Sequence, residues 1–243
     1  MVGPREDTRP AVTWHARSVR GQLEDIAGTL GVPLDGAASD RLEELIRLWR
    51  AYAPAINLIG AHDAEELVAH VADGLATVAC AAAVRTLDSS TRWVDVGSGA
   101  GLPGLVVAAV LDCELALIEP RQRRAAFLEL ALAGIGRKGV VSRGRIEEKT
   151  WDKNHAEQLV TPMSYPCTVA TARAVFEPGR WVQLGEKLVM DGGVLLAHLR
   201  PEQETWQLGV SVAMKTWGRS KICAFQPTRS NVPRGTHGSD LLG

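Results

Sequence analysis

Val94-Asp95-Val96-Gly97-Ser98-Gly99-Ala100-Gly101-Leu102-Pro103-Gly104 is the stretch on which the fold of this chain turns. Trp93 to Val96 is a short apolar run broken by one acid, which reads as a buried strand. Glycines follow at 97, 99, 101 and 104. They allow the chain to turn sharply off a strand and to bring its backbone against a ligand with no Cβ in the way. Leu105 to Leu111 then continues as an apolar helix. Gly99, Gly101 and Gly104 match the spacing GxGxxG, a weak signal alone because a glycine-rich turn with no ligand satisfies it equally.

Outward from this turn the same alternation repeats. Glu114 to Glu119 (ELALIE) reads as a second strand and Arg121 to Gly134 as an amphipathic helix. Gly139 to Ser142 is a third strand and Cys167 to Thr171 a fourth. A helix from Pro178 to Met190 precedes a fifth strand, Val194 to His198. Strands alternating with helices imply βαβ units, and therefore an α/β fold with a doubly wound, mainly parallel sheet covered on both faces.

Upstream the patterns are all helical. Gln22 to Leu34 reads as a short helix closed by Gly31 and Pro33. In a second helix Asp40 and Glu43 can form a capping box, with Leu42, Leu45, Ile46, Trp49 and Tyr52 at helical spacing and Pro54 as the stop. Asp63 to Val84 adds one or two Ala-rich helices. The expected layout is a flexible arm over 1–20, a helical cap over 21–90, an α/β domain over 91–226 and a disordered tail over 227–243.

Composition narrows the function classes. The chain has 243 residues and a mass of 26.1 kDa, which suits one large domain or one with a small appendage. With 46% hydrophobic and 23% charged residues it is not globally disordered. Lys+Arg of 27 against Asp+Glu of 28 rules out a wholly basic nucleic-acid coat and leaves room for a local basic patch. Cys80, Cys113, Cys167 and Cys223 form no CxxC, and His62, His70 and His155 form no ligand cluster, so neither a disulfide framework nor a metal is expected. Leu75 to Val84 and Leu105 to Leu111, the longest apolar stretches, are too short to span a bilayer. The opening MVGPREDTRP lacks the apolar core of a signal peptide, so a cytoplasmic location is expected.

Two acids flank the glycine loop. Asp95 lies where the first strand meets the crevice, a position from which a carboxylate accepts from a cationic amino-acid ligand and repels a pyrophosphate. Glu119 ends the second strand, where its two oxygens can take both hydroxyls of a ribose. S-adenosylmethionine carries a ribose, an amino group and a sulfonium but no phosphate, and suits this pair. NAD stays open on the glycines alone.

Four segments together resemble the bacterial 16S ribosomal RNA guanine-N7 methyltransferases, the glucose-inhibited division protein B family. They are DVGSGAGLPG (95–104), LIEPRQRRAAFLELAL (117–132), SRGRIEE (142–148) and TARAV (171–175). The stretch from Trp49 to Asn57-Leu58-Ile59 and the run His70-Val71-Ala72-Asp73 also look like that family's cap. The resemblance spans about residues 40 to 197. It implies a class I methyltransferase fold, Rossmann-like, that places the methyl of S-adenosylmethionine on N7 of a guanine in the decoding region. Gly97 and Leu102 match cofactor-contacting positions in the loop, where Ser98, Gly99 and Gly101 join them. Ile146 and Glu147 match a pair beside the adenine, and Glu119 the ribose-binding acid. Arg173 matches an arginine lining the cofactor and guanine pocket and is the catalytic candidate. The partner implied is 16S rRNA or a small-subunit precursor.

There are departures. The family's usual Lys-Gly after the fifth strand is His198-Leu199-Arg200 here, the segment Glu148 to Tyr165 is long, and the C-terminus does not resemble the family's closing strand.

Methyl transfer from a sulfonium is an in-line displacement, helped chiefly by near-attack geometry. Guanine N7 has an exposed lone pair and no proton, so no general base is required. Cytosine C5 chemistry would need a cysteine nucleophile, and Cys167 opens its strand instead of ending it. Arg121, Arg123, Arg124 and Arg145, with Arg137, Lys138 and Arg143 nearby, make 117–146 locally basic, an RNA-facing surface or a solvated face. Three alternatives stay open: the same fold acting on a small molecule or another RNA, a nicotinamide-dependent oxidoreductase, and a non-catalytic RNA-binding module.

Overall fold

Strand β1 (Arg92–Val96) is an interior strand, third of seven, of the sheet in a computed structural model that describes residues 18–56, 60, 63–161, 163–200, 202–203, 211–218 and 220–227. The period of two divides its side chains cleanly. Trp93 joins one apolar layer with Leu115, Leu117 and Val169, while Val94 and Val96 join the other with Ala116, Ile118 and Ala170. The remaining strands are β2 (Glu114–Ile118), β3 (Val140–Ser142), β4 (Cys167–Ala172), β5 (Val189–Leu199), β6 (Ala213–Trp217) and β7 (Ser220–Phe225). Their order is β3-β2-β1-β4-β5-β7-β6, with β1 to β5 parallel and β7 antiparallel to both neighbours. Val96 lies opposite both Ile118 and Ala172, so β1, β2 and β4 end level and their following turns open on one edge.

Helices cover both faces. α1 (Val19–Leu30), α2 (Gly36–Ile56), α3 (Ala64–Ala82), α4 (Gly104–Val110) and α5 (Gln122–Gly134) pack on the Trp93 face. α6 (Lys153–Val160) and α7 (Pro178–Gly185) pack on the other. The cap has no core of its own: Leu42, Trp49 and Leu67 belong to the same apolar layer as Leu105, Leu128 and Trp93. Cap and sheet thereby share one apolar layer on this face.

Several local expectations change. α1 begins at Val19, with Ser18 accepting from the Gly21 N–H, so residues 19 and 20 are helix and not arm. The α2 N-terminus is held by Asp35, which accepts from the Ala38 N–H at 2.6 Å. Asp40 and Glu43 form no capping box; both accept from Arg20, Glu43 at 2.6 Å, and tie α2 to α1. Pro54 does not end α2 at once, because a proline deletes only its own N–H, and the helix closes within a turn. α7 stops at Gly185, and Val189 already belongs to β5: the run Leu188-Val189 fits either period. The long segment after β3 contains α6, capped by Asp152 through the His155 N–H at 2.9 Å. The C-terminal stretch does form closing strands, the β6–β7 hairpin beside β5, whose outer strand is half-exposed and so lacks a continuous apolar run. Most of the arm and tail (1–17 and 228–243), with Asn57 to Ile59 and His62, lies outside the described residues. No helix among the described residues is long and apolar enough to cross a membrane.

Candidate functional site

Backbone hydrogen bonds build the glycine loop. The N–H groups of Gly97 and Ser98 donate to the Ile118 carbonyl at 2.8 and 3.0 Å, which folds the loop back over the end of β2. Gly97, Gly99 and Gly101 all have left-handed φ, at 71, 56 and 88°. At Gly97 the requirement is double, because a Cβ there would also lie 2.3 Å from a Val175 methyl. Gly104 is needed for close packing: its Cβ would fall 2.3 Å from Leu117 and 2.8 Å from Asp95. From the cap, the Trp49 indole N–H donates to the Ala100 carbonyl at 2.8 Å. Trp49 is thus more than core filling; it fixes the loop to α2.

The loop forms one wall of a cleft of about 610 Å³ at the level ends of β1, β2 and β4. Gly97, Ser98, Gly99 and Leu102 line it, as do Glu119, Ile146 and Arg173. Glu119 is buried, and each of its oxygens accepts a backbone N–H: Gly99 at 2.9 Å and Arg121 at 2.8 Å. One carboxylate therefore shapes the glycine loop while bordering the cleft.

Other candidates are placed differently. Asp95 does not border the cleft; it is 1% exposed and lies behind the loop, accepting from the Gly104 N–H at 3.2 Å and the Thr171 hydroxyl at 2.8 Å. Burial pushes its carboxyl up to about 6 against these hydrogen bonds. The reason is the strand period, which puts Asp95 on the same face as Trp93, toward α4. Gly101 also sits outside the lining, with its Cβ direction pointing at Leu105. Glu147 is exposed and turned away, so only Ile146 of that pair borders the cleft. Among the arginines, Arg121, Arg124 and Arg145 line the cleft, whereas Arg123 is exposed outside it, because successive helix positions face different ways. Cys167 is fully buried, with its thiol pushed up to about 12 by burial, and is no nucleophile.

Arg173 leaves the end of β4 just before Ala174, whose φ of 56° turns the chain toward Val175 and Phe176. Its acidic partner is Asp73 of α3, at 3.0 Å. Behind Asp73 stands His198 of β5, its Nδ1 4.0 Å from the same carboxylate oxygen and its pKa lowered by burial. His70, one turn earlier on α3, borders the cleft, and its pKa is likewise lowered by burial and by Arg173. A sequence signal for these residues existed: between Glu66 and Thr77, His70 and Asp73 are the polar residues, three apart, in a run that is otherwise apolar or glycine.

The residues present fit an adenosyl cofactor. A buried carboxylate, an open approach to Gly99 with nothing nearer its Cβ position than 3.7 Å, and the apolar side chains of Ile118 and Ile146 share one cleft. Its volume lies in the range of small-molecule sites.

Comparison with known proteins agrees. The model of the GidB family, described as rRNA small subunit methyltransferase G, matches residues 39–230. A ribosomal RNA small subunit methyltransferase G of Ralstonia nicotianae is 33% identical over 219 residues, 88% of this chain and 93% of that protein. One from Anaeromyxobacter dehalogenans is 33% identical over 177 residues, 71% and 74% of the two chains. In fold the chain is similar to the crystal structure of an MtNAS mutant, with TM-score 0.50 and 14% identity over 84% of this chain and 85% of that one. The glycine loop, its acid and the downstream arginine thus sit in a chain that belongs to the rRNA small subunit methyltransferase G family, S-adenosylmethionine-dependent methyltransferases of the class I fold.

Proposed function

We propose that this chain methylates N7 of a guanine in 16S rRNA, acting in the cytoplasm on the RNA or on a small-subunit precursor. The observation that carries this reading is the meeting of Glu119 and Arg173 across one cleft, at the level ends of β2 and β4. In it, Glu119 holds the ribose, the backbone of Gly97 to Gly99 takes the amino-acid end, and Ile118 and Ile146 enclose the adenine. S-adenosylmethionine, when bound, supplies an electrophilic methyl on a sulfonium. Arg173 orients the guanine by donating toward its O6 or a neighbouring phosphate. Arg121, Arg124 and Arg145 at the cleft receive the RNA backbone.

No residue at the cleft has to remove a proton, since N7 carries none. His70 is shifted toward lower pH, so it is neutral through the upper part of the physiological range. Single-turnover methyl transfer to 30S particles should accordingly be flat from pH 6.5 to 8. A rate rising tenfold per pH unit would require a base and point to a different target atom.

A further inference from the structure

Asp73 is an expensive residue to keep where it is. Its side chain is 6% exposed in α3, a helix buried on nearly every side. A carboxylate taken from water is tolerated when it is paired with a cation or well hydrogen-bonded. Among the described residues neither of its carboxylate oxygens accepts a hydrogen bond, and what compensates its charge is the ion pair with Arg173, 3.0 Å from Oδ2. His198 supplies no charge. The Thr77 hydroxyl donates its one proton to the Asp73 backbone carbonyl at 2.8 Å. The same hydroxyl also lies 3.4 Å from His198 Nε2. The ring's Nδ1 stands 4.0 Å from Asp73 Oδ2, too far for a hydrogen bond, and has no other partner among the described residues.

Arg173 is by contrast a long side chain, 26% exposed, reaching from the turn after β4 into the cleft wall. Free, it would sample many rotamers, and a guanidinium that must meet a base in one orientation gains from being held along one edge. We propose that Asp73 is a positioning residue for methyl transfer, a carboxylate carried by the cap that clamps the Arg173 guanidinium so that its remaining N–H groups face the target base. His70 shares that face of α3 and borders the same cleft, so the cap helix sets one side of the base site. The proposal rests on the reading of Arg173 given above.

The test is a double-mutant cycle in single-turnover methyl transfer to 30S particles, with S-adenosylhomocysteine binding followed by thermal shift. Asp73→Asn should lower the rate at least tenfold while cofactor binding stays within threefold. Added to Arg173→Ala, it should change the rate by less than twofold, since a clamp with nothing to hold has no effect. Asp73→Glu keeps the charge but moves it by one methylene, and should fall at least threefold, less than Asp73→Asn. This variant decides the matter if a buried amide at 73 prevents folding. A wild-type rate in either single Asp73 variant, or a further tenfold loss in the double variant, would overturn the clamp. Should Arg173→Ala itself keep the wild-type rate, the reading of the cleft fails with it; a slow Arg173→Ala beside a fast Asp73→Asn removes the clamp alone.

Discussion

Two acids flank the glycine loop, and they divide the work differently than their spacing suggests. Glu119 lies past the end of β2, free of the strand's alternation, and its carboxylate reaches the Gly99 and Arg121 N–H groups at the cleft. Asp95 is still within β1, so its direction was fixed by Trp93 two residues earlier, into the layer under α4. The presence of both acids was legible in the sequence, and so was the period that separates them. Asp95 makes a testable prediction. Its carboxyl is raised from 3.8 to about 6, so the folded state favours the protonated form. The stability this confers is fully present below about pH 4 and lost as pH rises through about 6. The difference in unfolding free energy between wild type and Asp95→Asn, from urea melts, should therefore fall by roughly 2 kcal/mol between pH 4 and 6 and level off above about pH 7. A constant difference across that range would mean the carboxyl titrates as in water.

Among the elements, the strand–loop–helix unit from β1 to α4 was readable because its signals agree: an apolar run, glycines where φ turns positive, then an apolar helix. What holds the loop in place was not readable. Trp49 lies 51 positions upstream of Ala100, and nothing in its helical stripe separates an indole that fills the core from one that also donates to a loop carbonyl. α6 and the β6–β7 hairpin escaped for a related reason, since short or half-exposed elements carry little period to detect. The loop gives the element-scale prediction. Gly97→Ala forces a left-handed L-residue, at about 1–2 kcal/mol, and drives its methyl into Val175. S-adenosylhomocysteine binding by titration calorimetry should weaken at least tenfold. Unchanged binding would show that Val175 yields and that the loop geometry is not critical.

At the scale of the whole molecule, a net charge of -1 hides an uneven distribution, with Arg121, Arg124 and Arg145 gathered at one cleft. The basic stretch was visible in the sequence; which of its arginines face the cleft depended on the helix rotation of α5 and on the packing of the cap. If Arg121 and Arg124 contact RNA phosphates, replacing both by Ala should flatten the log–log salt dependence of RNA binding by about 1.5 units. Arg123→Ala, outside the cleft, should change it by less than either. Equal effects at 123 and 124 would return α5 to a solvated surface.

The family membership, the level strand ends and the cleft converge on one reaction, and one measurement addresses it directly. 30S particles from cells lacking the gene are incubated with the chain and methyl-labelled S-adenosylmethionine. One portion of the 16S rRNA is then digested to nucleosides, and another is cleaved intact by chemistry selective for 7-methylguanosine to locate the site. The prediction is label in 7-methylguanosine alone, at a single site, absent when Glu119 is replaced by Ala. Label in another nucleoside, or none from a chain that binds S-adenosylhomocysteine, would contradict it.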